Sequence, residues 1–504
     1  MIEILSAENQ SELDAFTIEN EPISSVDLME RAATNCSDWI LQKYSGNFSF
    51  SVFCGPGNNG GDGLVIARHL HEANFKADCF VVAFSKNFSD DFEVNKKRLE
   101  SVGVKPIVLE DEKDLDKVKS NVIIIDAIFG TGLSRPAEGF AKSAIEKING
   151  FKTEVVSIDI PSGMYCDDLH DTNDVMVNAT HTLTFQAPKL NFFFPETGNY
   201  AGKFHILDIG LLQSKIVDFK VDKYMLTKES VGKLIKRRST FSHKGTYGHA
   251  QIIAGSKGKM GAAVLSSKAA LRTGTGLVTA NIPQCGIDIL QISIPEVMVL
   301  PNEGENQLQG EFMLIGDTIG IGPGIGQDVK TVSFLKKVIE NTDQPMVIDA
   351  DALNILASNQ ELLSKVPENS ILTPHPKEFE RLVGKFSNSY ERLEKQIEFS
   401  KKHNVIVVLK DARTQITIPK GECFFSTVGN PGMATGGSGD VLTGMLTGLL
   451  AQKYEPIEAA QLGVYLHGTA GDLAANKHRQ ESLVASDLIE MIGEGYGELS
   501  CSEL

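Results

Sequence analysis

Gly429-Asn430-Pro431-Gly432-Met433-Ala434-Thr435-Gly436-Gly437-Ser438-Gly439-Asp440 decides the reading of this 504-residue chain. Five glycines and a proline fall within twelve residues, and the run stops on an aspartate. Beyond it, Leu442, Met445, Leu446, Leu449 and Leu450 stand at i, i+3, i+4, i+7 and i+8, the apolar stripe of a helix. A glycine loop thus runs into a helix N-terminus, where free backbone N–H groups and the positive end of the dipole bind phosphate. Glycine also lets the backbone approach an anion closely. Asp440 stands at the helix mouth, placed to take a proton from a hydroxyl attacking that phosphate. The plainer alternative is a loop with a capping aspartate. The length of the loop and its fusion to a clear helix favour the phosphate site.

Upstream of this stretch, residues 248–254, 317–326, 345–349, 371–376 and 405–410 read as strands running into loops. Helices are expected over 262–273 and from 351, and shorter strands over 415–418 and 423–425. Repeated βα units with glycine loops on one edge define a large α/β sheet. No solenoid period is present.

The N-terminal half shows a second set of such units. Residues 1–45 read as polar helix, and 50–54 as a buried strand. That strand ends in Gly55-Pro56-Gly57-Asn58-Asn59-Gly60-Gly61-Asp62-Gly63, with a helix expected from Leu64 to about Ala73. The unit is a doubly wound nucleotide-binding element in outline. Its spacing is neither the usual Gly-x-Gly-x-x-Gly nor a Walker A loop, since no Lys-Ser/Thr follows. Buried runs at 79–84, 122–126 and 154–159 alternate with helices, as in a parallel sheet covered on both faces. Two of them end on Asp126 and Asp159, each beside a glycine loop. Ligands of open α/β sheets bind beyond the carboxyl ends of strands. Asn58, Asn59, Asp62, Asp126 and Asp159 are therefore expected to converge on one crevice. Either aspartate alone is as readily a cap or turn residue; the two together read as a site. With oxygen donors and no His or Cys, a bound cation would be hard, an alkali or alkaline-earth ion.

Composition narrows the partners. A net charge of −17 argues against nucleic acid or an anionic membrane. The 42% hydrophobic and 22% charged residues are those of a soluble globular protein, and the length predicts more than one domain. Seven scattered cysteines without a Cys-x-x-Cys pair predict reduced thiols. There is no basic region followed by an apolar core, so no secretory signal is expected, and no apolar run is long enough to span a bilayer. A cytoplasmic protein is expected. The basic cluster Lys236-Arg237-Arg238 reads as solvated surface.

The Gly-Ser-Gly-Asp ending resembles the anion-hole and base motif of the ribokinase-like superfamily. The longer string from Asn430 resembles one branch, the nucleotide-dependent NAD(P)H-hydrate dehydratases. The likeness extends over residues 225–504, through His243-Lys244-Gly245-Thr246-Tyr247-Gly248-His249, Gly322-Pro323-Gly324, Asp349-Ala350-Asp351-Ala352-Leu353 and Thr373-Pro374-His375-Pro376. It implies that Ala262, Gly324, His375 and Asp440 contact the hydrated nicotinamide nucleotide. It also implies that Lys410, Asp411, Ala412, Arg413, Thr414 and Gly439 contact the phosphate donor. Two departures stand out. The family usually reads Lys-Gly-Ala at Lys410-Asp411-Ala412, and often His-Pro-Gly-Glu at His375-Pro376-Lys377-Glu378. Asp411 would repel a nucleotide phosphate unless it points outward.

Residues 1–215 resemble the NAD(P)H-hydrate epimerase family at Asn58-Asn59-Gly60-Gly61-Asp62-Gly63, Gly130-Thr131-Gly132-Leu133-Ser134-Arg135-Pro136 and Asp159-Ile160-Pro161-Ser162-Gly163. The resemblance implies that Asn59, Asp126 and Ser162 hold a potassium ion. It implies substrate contacts from Asn58, Asn59, Gly60, Gly61, Asp62, Gly130 to Pro136, and Asp159, with Asp159 giving acid/base help at C6. Silent relatives of this fold serve as interaction modules; the intact motifs argue for an active enzyme.

The expected architecture is α/β: a Rossmann-like doubly wound N-terminal domain over 1–218 and a ribokinase-like domain over 219–504. The expected activity is repair of hydrated NADH and NADPH. The N-terminal domain would interconvert the C6 epimers, and the C-terminal domain would dehydrate the S form with ADP and magnesium, leaving AMP and phosphate. Expected partners are these hydrates and ADP or ATP, with no nucleic acid or membrane, and a homo-oligomer is expected. The alternative is a ribokinase-like kinase of a vitamin precursor or sugar with a non-catalytic N-terminal binding module.

Overall fold

Phe50, Val52 and Cys54 join one hydrophobic core and Phe53 another, as the period-two alternation of a strand requires. The computed structural model describes residues 1–500 except 47, 119–121 and 172. The chain forms two compact units, one over Ile2–Val221 and the other from Asp222 onward.

The first unit holds β1 (Ser49–Cys54), β2 (Lys76–Val82), β3 (Ile107–Leu109), β4 (Ile123–Ala127), β5 (Val155–Ile158), β6 (His181–Phe185) and β7 (Lys203–Leu207). Their order is β3-β2-β1-β4-β5-β6-β7, and every neighbouring pair is parallel. The order reverses between β1 and β4, so a crevice opens beyond their carboxyl ends. Helices Ser25–Lys43 and Asn58–Glu72 pack on the face carrying Phe50 and Val52, and helix Gly139–Gly150 on the face carrying Phe53.

The second unit holds β8 (Lys223–Met225), β9 (His249–Ile253), β10 (Leu277–Ile282), β11 (Met298–Pro301), β12 (Thr318–Ile321) and β13 (Val347–Ile348). It continues with β14 (Ile371–Leu372), β15 (Ile406–Leu409), β16 (Gln415–Thr417) and β17 (Cys423–Phe425). The order is β8-β17-β16-β15-β14-β13-β12-β9-β10-β11, with β16 antiparallel to both neighbours and the other pairs parallel. Here the order reverses between β9 and β12. Helix Ser438–Ala451 lies close against helix Met260–Arg272 because Gly444 has no side chain; a Cβ there would stand 2.0 Å from Ser266 O.

One expectation needs correction. Both glycine motifs are more helical than read: helices begin at Asn58 and Ser438, so Asn58 to Gly63 and Ser438 to Asp440 form first turns and not loops. Close packing explains the composition, since a Cβ at Gly60 would lie 1.8 Å from Gly55 O. The two compact units divide between Val221 and Asp222. Ile216, Phe219 and Val221 still pack on the first core, and Lys215 pairs with Glu12 at 2.9 Å.

Candidate functional site

The first site lies at the switch point of the first sheet. A cavity of about 810 Å³ is lined by Asn58, Asn59, Asp62, Asp159 and the loop from Gly130 to Arg135. The structure thus gathers most of the expected contacts. Gly60, Gly61 and Pro136 do not line the cavity, and neither does Asp126, which was expected to converge on it. Gly60 and Gly61 serve packing instead; a Cβ on Gly61 would meet Met29 Sδ at 2.5 Å.

Asp126 is fully buried at the end of β4. Ser157 Oγ donates to it at 2.7 Å, Ser162 N at 2.9 Å and Ser162 Oγ at 2.5 Å. Burial raises its carboxyl above the usual range, and these donors oppose the rise. Asn59 Nδ2 donates to Phe129 O at 2.8 Å and Ile158 O at 3.3 Å, which turns Asn59 Oδ1 away. That oxygen is buried without a hydrogen-bond partner. An orphaned buried amide oxygen, a carboxylate and a serine hydroxyl are the donor types a hard cation takes, so the chemistry of Asn59, Asp126 and Ser162 fits potassium.

Asp159 follows β5 with φ +64°, a left-handed conformation uncommon for a residue with a side chain. Its N–H donates to Leu183 O at 2.7 Å, and Thr131 N donates to its Oδ2 at 3.2 Å. Lys189 Nζ lies 3.3 Å from Oδ1. The lysine side chain is 1% exposed, and its other protons reach Phe185 O and Ala187 O, each at 3.1 Å. Asp159 is thus aimed at the cavity by its backbone and held from behind by a buried cation.

The second site lies beyond the carboxyl ends of β9, β12, β13, β14 and β15. Helix Ser438–Ala451 starts there with Gly437 as N-cap at φ +92° and no capping side chain. Ser438 N donates to Thr435 O at 3.4 Å, and the N–H groups of Gly439 and Asp440 that follow suit an anion. Lys410 Nζ donates to Asp349 Oδ1 at 2.7 Å, and Thr443 Oγ1 donates to Asp349 Oδ2 at 2.7 Å. The ammonium is thereby fixed beside the helix mouth: a Cβ on Gly439 would stand 3.2 Å from it. Asp440 is raised to about 6 by burial and by Asp349, with Lys410 opposing. Beneath, His467 Nε2 donates to Ser438 O at 3.0 Å. Burial lowers its ring to about 4, so it is neutral. Asp472 accepts from Gly429 N at 3.0 Å and Asn430 Nδ2 at 2.9 Å, fixing the start of the glycine stretch.

Gly324 and Ala262 meet here, since a Cβ on Gly324 would lie 3.2 Å from the Ala262 Cβ. His375 caps helix Pro376–Val383: its Nδ1 accepts from Lys377 N at 3.1 Å and Glu378 N at 3.3 Å. Lys377 therefore contributes a backbone N–H to the cap. Burial lowers the His375 pKa, and the neutral ring keeps its proton on Nε2 as a donor. Asp411 points away from the helix mouth into an ion pair with Arg392 at 2.9 Å, and its Oδ1 accepts from Ala412 N at 2.8 Å. Arg413 Nη1 donates to Thr427 O at 2.7 Å, and Thr414 Oγ1 to Asp411 O at 3.3 Å. The side chains of Asp411, Arg413 and Thr414 thus shape the turn after β15.

Lys189, Asp349, Thr443, His467 and Arg392 were missed as site residues. Lys189 had a signal, the one charged residue in the run from Phe185 to Phe194. Asp349 had another, a strand-end aspartate like Asp126 and Asp159. Thr443, His467 and Arg392 reach their partners only through tertiary packing.

Together these features define an α/β enzyme with two sites: a carboxylate–lysine crevice, and an uncapped helix mouth that carries Asp440 in its first turn beside Lys410. The family profile described as NAD(P)H-hydrate dehydratase matches residues 250–494, and the one described as YjeF-related protein N-terminus matches residues 25–191. The bifunctional NAD(P)H-hydrate repair enzyme of Moorella thermoacetica is 35% identical, over 97% of this chain and 96% of its own. That of Escherichia coli is 32% identical over 92% and 88%. An ADP/ATP-dependent NAD(P)H-hydrate dehydratase from Bacillus subtilis, co-crystallised with ATP and Mg2+, aligns over 55% of this chain and 98% of its own. Its identity is 30% and its TM-score 0.48. The chain belongs to the bifunctional NAD(P)H-hydrate repair enzymes. No helix among the described residues is long and apolar enough to cross a membrane.

Proposed function

We infer that the chain repairs hydrated NADH and NADPH in two steps, interconverting the R and S hydrates at C6 and dehydrating the S form with ADP. The observation that carries the reading is the uncapped mouth of helix Ser438–Ala451, with Asp440 in its first turn and Lys410 beside it. The kinase alternative has no comparable support, because the likeness to repair enzymes spans both units and the first site is intact.

In the second site the terminal phosphoryl group of ADP rests on the N–H groups of the first turn, with Lys410 balancing its charge. Asp440 takes the proton of the C6 hydroxyl. That oxygen attacks phosphorus, and the bond to the leaving AMP breaks. The C6–O bond then breaks with its electron pair on phosphate as the ring nitrogen forms a C=N bond. Loss of a proton from C5 restores NAD(P)H. Thr443 and Asp349 act by positioning Lys410, and His467 by holding the first turn. Asp349 is committed to Lys410 and Thr443, so magnesium would ride on the donor phosphates, where it neutralises developing charge.

In the first site Asp159 is the acid/base group at C6, and Asn59, Asp126 and Ser162 are the ligands that would hold potassium, a fixed positive charge beside the substrate. We place the enzyme in the cytoplasm as a homo-oligomer. Phosphorus NMR of a reaction with S hydrate, ADP and magnesium tests the reading. AMP and orthophosphate in equal amounts, with no lasting phosphorylated organic product, is the expected result. A stable phosphorylated product would support a kinase.

A further inference from the structure

Helix Ala7–Asn20 precedes every motif by which the first site was recognised. Ala7, Gln10, Ser11 and Asp14 nevertheless line its cavity. They stand at i, i+3, i+4 and i+7, so one small, polar face of this helix forms part of the wall. The helix is firmly seated. Leu13 is buried in the first core, Leu212 N donates to Thr17 Oγ1 at 3.0 Å, and Ala7 N donates to Asp167 Oδ2 at 3.3 Å. Gln10 Nε2 donates to Asp14 Oδ1 at 3.3 Å.

Epimerisation at C6 breaks a C–O bond on one face of the ring and forms one on the other. As the hydroxyl leaves, it takes up a proton and departs as water, and the ring nitrogen lone pair forms a C=N bond. Water then adds to the opposite face, gives up a proton, and the nitrogen recovers its pair. Each face needs its own proton-transfer group, and the reverse direction exchanges their roles. Inverting glycosidases place two carboxyl groups around the reacting carbon for the same reason.

Asp159 supplies one such group. The other ionisable side chains on the cavity narrow the choice for the second. Burial, and then the carboxylates of Asp159, Asp14 and Asp91, push Asp62 well above the usual range, which makes it a poor base near neutral pH. Lys189 lies behind Asp159, off the cavity wall, and is already bonded to that carboxylate and two carbonyl oxygens. Arg135 lines the cavity but does not exchange its proton near neutral pH. We propose that Asp14 is the second proton-transfer group of the epimerase site, serving the ring face that Asp159 does not. The proposal rests on the epimerase reading of this unit.

Burial and the charge of Asp159 raise Asp14 to about 6, with Gln10 and Lys189 opposing. A group that titrates there is effective both as acid and as base near neutral pH. The two carboxyls must share one proton in the active form, so the rate profile against pH is bell-shaped and its limbs belong to the pair.

The test is the rate of interconversion of purified S and R NADPH hydrates by the full chain without ADP, resolved by chromatography. Asp14→Asn is expected to lower kcat at least 100-fold with KM within threefold, and to reduce the bell to a single limb. Asp14→Glu, which keeps the carboxylate, is expected to restore at least a tenth of the rate. In H2(18)O the newly formed epimer is expected to carry the label. Asp14→Asn with a rate within threefold of the parent overturns the proposal, as does a lower rate with an unchanged bell. If Asp14→Asn fails to fold, a folded Asp14→Glu whose pH limbs do not move overturns it as well. A parent chain that does not interconvert the hydrates sinks the epimerase reading and the proposal with it.

Discussion

Arg392 Nη1 lies 2.9 Å from Asp411 Oδ2, and this ion pair resolves the conflict posed by a carboxylate next to Lys410. Arg392 is 6% exposed and Asp411 20%. Nε and Nη2 of Arg392 are buried without partners, so the guanidinium depends on Asp411. Removing either partner therefore has unequal effects. Asp411→Ala strands a buried cation and should destabilise the unit by about 3 kcal/mol. Arg392→Met frees Asp411 toward the phosphates and should raise the KM for ADP about tenfold, equivalent to about 1.4 kcal/mol. The double variant Arg392→Met/Asp411→Gly should recover both properties. Denaturant melts and steady-state kinetics check the set; equal effects from the two single variants would refute the asymmetry.

Asp440 links activity to stability. Its carboxyl is raised to about 6 in the folded chain, above the unfolded value, so the unfolded state ionises first. The destabilisation is complete above pH 6 and disappears below the unfolded pKa near 4. Asp440→Asn should therefore raise the melting temperature at pH 7 by a few degrees, for a gain of about 1–3 kcal/mol, while lowering dehydration at least 1,000-fold. In the parent, dehydration should fall as pH drops through about 6, because the carboxylate is the base. A profile flat from pH 5 to 8 would remove Asp440 from that role.

Lys189 holds Asp159 from a fully buried position. Lys189→Met leaves that carboxylate and two carbonyl oxygens without their donor. A loss of about 3 kcal/mol is expected, with interconversion slowed about 100-fold. Chromatography of the epimers and thermal denaturation of the same preparation test both parts. A stable variant with parental epimerase rate would mean that the lysine neither positions nor supports Asp159.

Asn59 Oδ1 gives the proposed cation site a readout independent of turnover. Binding to the folded state alone raises the melting temperature. Potassium chloride should stabilise the parent beyond sodium or lithium chloride at equal ionic strength, and Asn59→Ala should abolish the difference. Identical melts in all three salts would argue against a potassium site.

The architecture was largely legible in the sequence because buried parallel strands read as short apolar runs bounded by glycine loops. Strand-end Asp126 and Asp159 announced the first crevice, and the run into Asp440 the second. The exact helix starts were not legible. Gly60 and Gly444 look like loop chemistry until the neighbouring backbone is seen, when they prove to be places where two elements touch. Strands Leu277–Ile282 and Met298–Pro301 escaped notice because Thr279 and Asn281 interrupt the first and the second is partly exposed at the sheet edge. Arg392 and His467 reach Asp411 and Ser438 across 19 and 29 residues, and Asp14 shares a cavity with Asp159 across 145, placements that no local spacing encodes. Each sits on a helix whose own pattern explains only its packing.

The most direct test of two sites acting on one damaged cofactor is absorbance at 340 nm. The full chain is mixed with ADP, magnesium, potassium and a purified mixture of S and R NADPH hydrates. Recovery of NADPH from both epimers is expected, to completion and faster than spontaneous epimerisation allows. Recovery that stops when the S hydrate is exhausted would contradict the first site, and no recovery with ADP or ATP would contradict the account as a whole.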